Sequence, residues 1–123
     1  MREAPPSLGE RLARRLRSRR LVVVDRSMRP TLEPGDRLRF DPGAYRQALP
    51  KVGEIVVLED PEGRVRWLVK RVSQVTAADR AVEVVGDAGG NVRDSRTFGP
   101  VPLGAVVGRV YRRYFPPERA GEL

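Results

Sequence analysis

Short apolar segments separated by proline and glycine dominate the chain from Leu21 onward. Turn-forming sequences such as EPGD (33–36), DPEG (60–63) and GPVP (99–102) lie between them. This punctuation is typical of short strands and predicts one all-β domain over residues 21–115, a small barrel or sandwich. The six predicted strands, each four to eight residues long, are Leu21–Val24, Arg37–Phe40, Ile55–Leu58, Val65–Val72, Ala81–Val85 and Ala105–Tyr111.

The two ends of the chain follow other patterns. In the N-terminal arm, residues 1–20, Ser7 and Glu10 fit a capping box, and leucines recur every fourth residue at 8, 12 and 16. We predict a short basic amphipathic helix that packs these leucines on the domain. A helix resting on an anionic membrane surface and an unstructured arm are the alternatives. Residues 116–123 (PPERAGEL) are predicted to be a flexible, frayed tail.

Composition excludes several kinds of active site. The chain of 123 residues has no cysteine and no histidine, which excludes disulfides, thiolate nucleophiles, histidine-containing triads and zinc sites built on these side chains. A hydrolase must therefore take its base from lysine, aspartate, glutamate or tyrosine. The longest apolar runs, such as Leu21–Val24, have four residues, whereas a membrane span needs roughly 18, so we expect no transmembrane anchor.

The formal net charge of +8 is concentrated at the front of the chain. Residues 1–40 carry 11 basic and 5 acidic side chains, against 13 and 11 in residues 41–123. A basic arm can contact phosphates or anionic lipid. An aromatic content of 6% and the lack of a recognisable nucleic-acid-binding motif argue against a nucleic-acid partner.

Ser27 is a candidate nucleophile. It follows the apolar run 21–24 and precedes a turn stiffened by Pro30, so rigid backbone presents it. Taken alone, a serine at this place is more simply explained as a turn residue.

Lys70, one of only two lysines, is a candidate base. If its segment is a strand, Lys70 shares the inward face with Leu68 and Val72, and burial there lowers its pKa. A neutral lysine amine can take the proton of a serine hydroxyl. Taken alone, the segment is better explained by a lysine whose stem reaches along the sheet to water.

The third segment is GDAGGNVRDSRTFGPVP (86–102). Asp94 and Arg96 are two residues apart, so on an extended segment they lie on one side and can pair with each other or with neighbours of the site. The simpler alternative is a hairpin loop with a surface ion pair that contributes little stability.

Together the three segments resemble the type I signal peptidases, a family of Ser-Lys proteases. SMRPTLEPGD (27–36) is similar to the nucleophile box of that family, LVKRV (68–72) to its general-base box, and residues 86–102 to its last box. The resemblance covers residues 21–115. It implies a serine endopeptidase without metal or cofactor that removes an N-terminal leader from a precursor protein.

The resemblance also implies roles for individual residues. Ser27 attacks the scissile carbonyl, its backbone N–H donates to the oxyanion, and Lys70 acts as base and then as acid. The remaining implied residues are Met28, Leu68 and Val69, which shape a small substrate pocket, and Pro30, Asp94 and Arg96, which support the site.

Two positions depart from the family pattern. Many relatives carry serine or glycine two residues before the nucleophile, where this chain has Asp25. A carboxylate in the oxyanion hole would repel the developing charge, so we expect Asp25 to point away from it. Val92 replaces a small hydroxylated residue and helps to keep Lys70 dry without orienting it.

Residues 98–102 and 106–116 (FGPVP and VVGRVYRRYFP) are similar to the compact maturation proteases of nickel-type superoxide dismutase. That resemblance implies a cytoplasmic enzyme whose substrate is the dismutase precursor. One alternative is a signal peptidase-like protease that acts on other leaders at the inner membrane surface, which it contacts through residues 7–20. Another is a catalytically degenerate peptide-binding module.

Overall fold

A computed structural model describes residues 4–123, so residues 1–3 of the predicted arm lie outside the described residues. The described chain starts with a helix and continues mainly as strands. Its elements are α1 (Leu8–Arg17), β1 (Arg19–Val22), β2 (Arg37–Asp41), β3 (Ile55–Glu59), β4 (Trp67–Thr76), β5 (Ala81–Val85), α2 (Ser95–Phe98), β6 (Val101–Pro102), β7 (Val106–Phe115) and β8 (Gly121–Glu122).

The strands form one curled antiparallel sheet in the order β1-β2-β7-β3-β4-β5-β6, with β8 paired to β7. The prediction of an all-β fold with a short N-terminal helix is confirmed. All six predicted strands are present, and β4 and β7 extend several residues past their predicted ends. The loop that follows β5 lies beside the segment of Ser27, as the hydrogen bond from Ala88 N–H to Ser27 O shows.

Strand β3 separates two hydrophobic cores. Ile55 and Val57 pack with Met28 and Phe40 in the first core, whereas Val56 and Leu58 pack in the second. Because successive side chains of a strand point to opposite faces, a strand buried on both faces must be apolar at every position. This explains why the sequence from Ile55 to Leu58 is a continuous apolar run without polar alternation.

Helix α1 binds the sheet with its arginines and not with its leucines, which corrects the predicted packing. The capping box between Ser7 and Glu10 is present. Arg17 forms two hydrogen bonds with Asp41 at 2.7 and 2.9 Å, and the Arg14 guanidinium lies 4.0 Å from the centre of the Tyr111 ring. The three leucines point away from the sheet and remain exposed. None of the helices within residues 4–123 is long and apolar enough to cross a bilayer.

The C-terminal segment is ordered against the sheet, so the prediction of a frayed tail is wrong. Its strand β8 pairs with β7, and the Leu123 N–H donates to the Tyr111 carbonyl at 3.0 Å. Arg119 forms an ion pair with Asp36, whose side chain is buried and also contacts Arg113 at 3.1 Å. A buried carboxylate needs such cationic partners, and the tail supplies one of them.

Candidate active site

The segment that follows Ser27 is a turn held in place by its apolar residues. Met28 and Leu32 are buried in the first core, and the Leu32 N–H donates to the Met28 carbonyl at 2.9 Å. Ser27 precedes this turn and is half-buried, while Pro30 lies within the turn and is exposed. The segment therefore holds the Ser27 backbone firmly and leaves its hydroxyl near the surface.

Lys70 lies on the inward face of β4, as its spacing predicted. Only 2% of its surface is exposed, and its neighbours on the same face, Leu68 and Val72, are buried. Val56 lies directly opposite on β3, so an apolar side chain flanks the lysine across the strand pair as well. This burial lowers the pKa of Lys70, against the opposing attraction of Asp25 and Asp94.

Ser27 and Lys70 line the same cleft, which has a volume of about 370 Å³. They come from a turn and a strand that are 43 positions apart in the sequence. The other side chains and backbone of the cleft belong to Asp25, Arg26, Leu68, Ala88, Asn91, Val92 and Arg93. Val92 lines this cleft, as expected of a residue that shields Lys70 from water.

A single carboxylate joins the three sequence boxes. Asp87 accepts a hydrogen bond from the Thr31 hydroxyl at 2.6 Å and two from the Arg71 guanidinium at 2.8 and 2.7 Å. The Arg71 guanidinium holds the pKa of Asp87 below its usual value. We call Thr31, Arg71 and Asp87 the carboxylate clamp. It fixes the loop after β5 against the Ser27 turn and β4 together.

Gly86 lies where the loop after β5 contacts the backbone of Ser27. A Cβ atom at this position would lie 2.7 Å from the Ser27 carbonyl oxygen and 2.4 Å from Cγ1 of Val92. The next residue but one, Ala88, donates its N–H to the same Ser27 carbonyl at 3.0 Å. Glycine at 86 therefore permits the close contact that positions the Ser27 backbone.

Asp94 stabilises the loop after β5 through hydrogen bonds. It caps α2, accepts the Gly86 N–H at 3.0 Å and pairs with Arg96 at 2.7 Å. Burial raises the pKa of Asp94, but the hydrogen bonds from Arg96 and Gly86 outweigh this effect and lower it to about 2. The predicted Asp94–Arg96 pair is confirmed. The extended conformation expected around it is wrong, because Asp94 caps a short helix that begins at Ser95.

The carboxylate of Asp25 occupies the backbone N–H that the family resemblance implies as the oxyanion donor. Its Oδ1 accepts the Ser27 N–H at 3.0 Å. We expected Asp25 to point away from this group, and that expectation is wrong. A carboxylate two residues before a free N–H forms this local bond readily, which is why aspartate favours turns.

A smaller apolar groove adjoins the cleft. Met28, Leu68 and Val69, the predicted pocket residues, line it together with Trp67 and residues 21–25. Its volume is about 110 Å³, and Leu68 and Asp25 border both the groove and the cleft. A groove of this size can hold one short apolar side chain.

Arg93 and Asp60 form a second support that sequence reasoning missed. Asp60 accepts two hydrogen bonds from Arg93, at 2.8 and 2.9 Å, and backbone N–H groups from the turn before β4. Arg93 borders the cleft, and its positive charge adds to the lowering of the Lys70 pKa. The only sequence signal was an aspartate at the head of the DPEG turn, and its partner lies 33 residues away.

Comparison with known proteins identifies the family. Residues 12–81, more than half of the chain, match the family described as signal peptidase, peptidase S26. The chain belongs to the S26 signal peptidase family. The matched residues include the segments of both Ser27 and Lys70.

Several curated S26 relatives are similar over most of the chain. "Mitochondrial ATP-independent inner membrane protease subunit 1b" of Arabidopsis thaliana is 36% identical over 118 residues, covering 79% of this chain and 70% of the relative. "Probable signal peptidase I-1" of Synechocystis is 28% identical, with coverages of 79% and 71%. "Mitochondrial inner membrane protease subunit 2" of Schizosaccharomyces pombe is 34% identical over 89 residues, covering 59% and 49%. This chain is thus a signal peptidase-like protein.

Proposed function

We propose that this protein is a serine endopeptidase that cleaves a leader peptide with a Ser27–Lys70 dyad. The observation that carries the proposal is the shared cleft, in which a half-buried serine and a buried lysine of lowered pKa face the same space. A lysine in apolar surroundings is a base near neutral pH, and serine is a nucleophile once a base accepts its proton.

The proposed reaction needs only these two side chains and water. The Lys70 amine takes the Ser27 hydroxyl proton as Oγ attacks the scissile carbonyl, and the ammonium then gives that proton to the leaving amine as the C–N bond breaks. Water, activated by the neutral Lys70, hydrolyses the resulting ester. The Ser27 N–H donates to the oxyanion once Asp25 releases it, and Met28, Leu68 and Val69 hold the adjacent side chain. Pro30, Asp94 and Arg96 keep the backbone of the site in place.

The proposed substrate is the precursor of a nickel-type superoxide dismutase. The support for this choice is the resemblance of residues 98–102 and 106–116 to its maturation proteases. A leader of another precursor at a membrane surface is the second candidate, and it is favoured by the names of the relatives, two of which are inner membrane proteases.

Mass spectrometry of a precursor incubated with the protein tests the proposal. We expect one cut that frees the mature N-terminus of the nickel dismutase, and no cut by Ser27→Ala. A cut by both proteins would place the chemistry elsewhere and overturn the dyad. If the dismutase precursor stays intact while a signal peptidase substrate is cut, the endopeptidase stands and the second substrate class replaces the first. If neither is cut, the dismutase and signal peptidase substrates are both excluded, and a protease for another leader or a catalytically degenerate peptide-binding module takes their place.

We also propose that the outward face of α1 rests on an anionic membrane. Leu8, Leu12 and Leu16 are 82%, 58% and 79% exposed. Arg11 and Arg15 flank this leucine row on the helix, whereas Arg14 and Arg17 hold the opposite face on the sheet. An apolar row bordered by arginines and fixed to a folded domain matches the interface of an anionic bilayer.

Replacing the three leucines of α1 with glutamine is expected to lower binding to vesicles of anionic phospholipid at least tenfold, because it removes the apolar surface that enters the bilayer. Vesicle co-sedimentation with neutral and anionic lipids measures the effect. The matched control replaces Leu49, Val52 and Val65, which are also exposed but lie outside α1. Equal binding by both triple variants, or no binding by the unchanged protein, would contradict the proposed location.

A further inference from the structure

Asp25 is one of two aspartates, the other being Asp79, for which no arginine partner is found within the described residues. Asp36, Asp41, Asp60, Asp87 and Asp94 each have an arginine within 4 Å. Within residues 4–123, Asp25 forms no such ion pair, and its carboxylate instead accepts the Ser27 N–H. Asp25 is also exposed. Its carboxylate attracts the ammonium of Lys70, but as an exposed group it also remains accessible to a positively charged group from outside the chain.

The position of Asp25 places that charge on the path of a substrate. Asp25 borders both the cleft that contains Ser27 and Lys70 and the apolar groove of Met28 and Leu68. A peptide with its scissile bond at Ser27 and a short side chain in the groove must pass the Asp25 carboxylate. A basic side chain that the bound peptide holds close to this carboxylate would interact with it favourably.

The hydrogen bond to Ser27 connects recognition with catalysis. While Asp25 holds the Ser27 N–H, that donor cannot stabilise the oxyanion, and one such donor changes kcat by about 100-fold or more in serine proteases. A cation that binds the carboxylate withdraws negative charge from Oδ1 and draws the side chain toward itself, and both effects weaken the hydrogen bond from the N–H. Substrate charge can therefore change the turnover rate as well as the affinity.

We propose that Asp25 is a specificity-determining residue that selects leaders with an arginine or lysine beside the residue held in the groove. The ion pair with this basic side chain draws the carboxylate away from the Ser27 N–H and frees the N–H for the oxyanion. The inference rests on the proposed endopeptidase function. It specifies the charge of the preferred substrate and explains why an aspartate occupies position 25.

A synthetic peptide library tests the inference. Each peptide has alanine as the groove residue and mixed residues at three positions on either side, and mass spectrometry reads the cuts that Ser27→Ala does not make. We expect peptides with arginine or lysine at one flanking position to be cut at least tenfold faster than those with glutamate. Asp25→Asn should reduce this ratio to about one, and Asp25→Lys should invert it.

Steady-state kinetics on one matched arginine and glutamine peptide pair separates recognition from a structural effect. In Asp25→Ala, which lacks an acceptor for the Ser27 N–H, kcat for the glutamine peptide should rise. In Asp25→Asn, whose amide oxygen still accepts that N–H, kcat for the glutamine peptide should not rise. The kcat advantage of the arginine peptide should disappear in both variants. Asp79→Asn is the matched control, since Asp79 is exposed and lies in the turn before β5, away from the cleft. The inference is overturned if Ser27-dependent cutting shows no charge preference, or if the preference survives in Asp25→Asn. The proposed endopeptidase function stands in either case. No Ser27-dependent cut in any peptide overturns both.

Discussion

Substitution of Lys70 by methionine is expected to lower kcat by about 1000-fold or more, because the cleft then contains no base for the Ser27 hydroxyl. Methionine has nearly the volume of the lysine stem and suits a position that is only 2% exposed. The fold should therefore persist while activity is lost. Lys70→Arg should be equally inactive, since a guanidinium stays protonated and cannot accept the proton. Initial rates on a cleaved leader peptide measure both effects.

The pH dependence gives an independent measure of the same lysine. Burial lowers the pKa of Lys70 from the ordinary value of 10.5, so the neutral base and the rate should increase with pH through this lowered pKa. The folded protein disfavours the ammonium, and its free energy of unfolding should also increase with pH between the lowered pKa and 10.5. In Lys70→Met this contribution to the pH dependence should be absent.

Lys51 provides the matched control, because it is the second of the two lysines and lies outside the cleft. Lys51→Met should retain the rate and the pH profile of the unchanged protein. Full activity in Lys70→Met, or a rate that is flat from mildly acid to alkaline pH, would show that another group is the base.

Substitution of Gly86 by alanine is expected to lower kcat about 100-fold with little loss of secondary structure. The added Cβ would lie 2.7 Å from the Ser27 carbonyl oxygen, and this contact is with backbone that must shift to relieve it. Displacement of a catalytic group by a fraction of an ångström to 1 Å can cost a factor of about 100 in rate. Initial rates and circular dichroism measure the two effects separately.

Gly104→Ala is the control for this substitution, because a Cβ at Gly104 meets no atom within 4 Å. Its activity should equal that of the unchanged protein. A Gly86→Ala variant that is fully active would show that contact between the 86–88 loop and the nucleophile turn does not position Ser27.

The strands and the burial of Lys70 were predictable because they depend on local alternation. Side chains on a strand alternate between faces whatever lies around them, so the apolar neighbours of Lys70 at positions 68 and 72 already placed it inward. The continuous apolar run of β3 likewise indicated burial on both sides. The expectation that Ser27 and Lys70 lie close together rested only on the family resemblance, since the spacing of residues along the sequence does not determine which of them share a cleft.

The orientation of α1, the ordered tail and the Asp25 hydrogen bond were mispredicted for a shared physical reason. Each depends on which polar groups find partners, and apolar periodicity carries no information about that choice. The leucine row of α1 predicted an inward apolar face, but the arginines of α1 face the sheet instead, where they pair with Asp41 and stack on Tyr111. The tail is held by Arg119 on Asp36, a pairing across 83 residues.

The carboxylate clamp has a consequence for the chain during its synthesis. Ser27 and Lys70 leave the ribosome before Asp87, and the clamp closes only when the loop after β5 reaches Thr31, 56 residues back along the chain. An unfinished chain therefore has a serine and a lysine but no assembled cleft. Under the proposed dyad, cleavage therefore requires the synthesis and docking of the loop after β5, which follows both reacting residues in the chain.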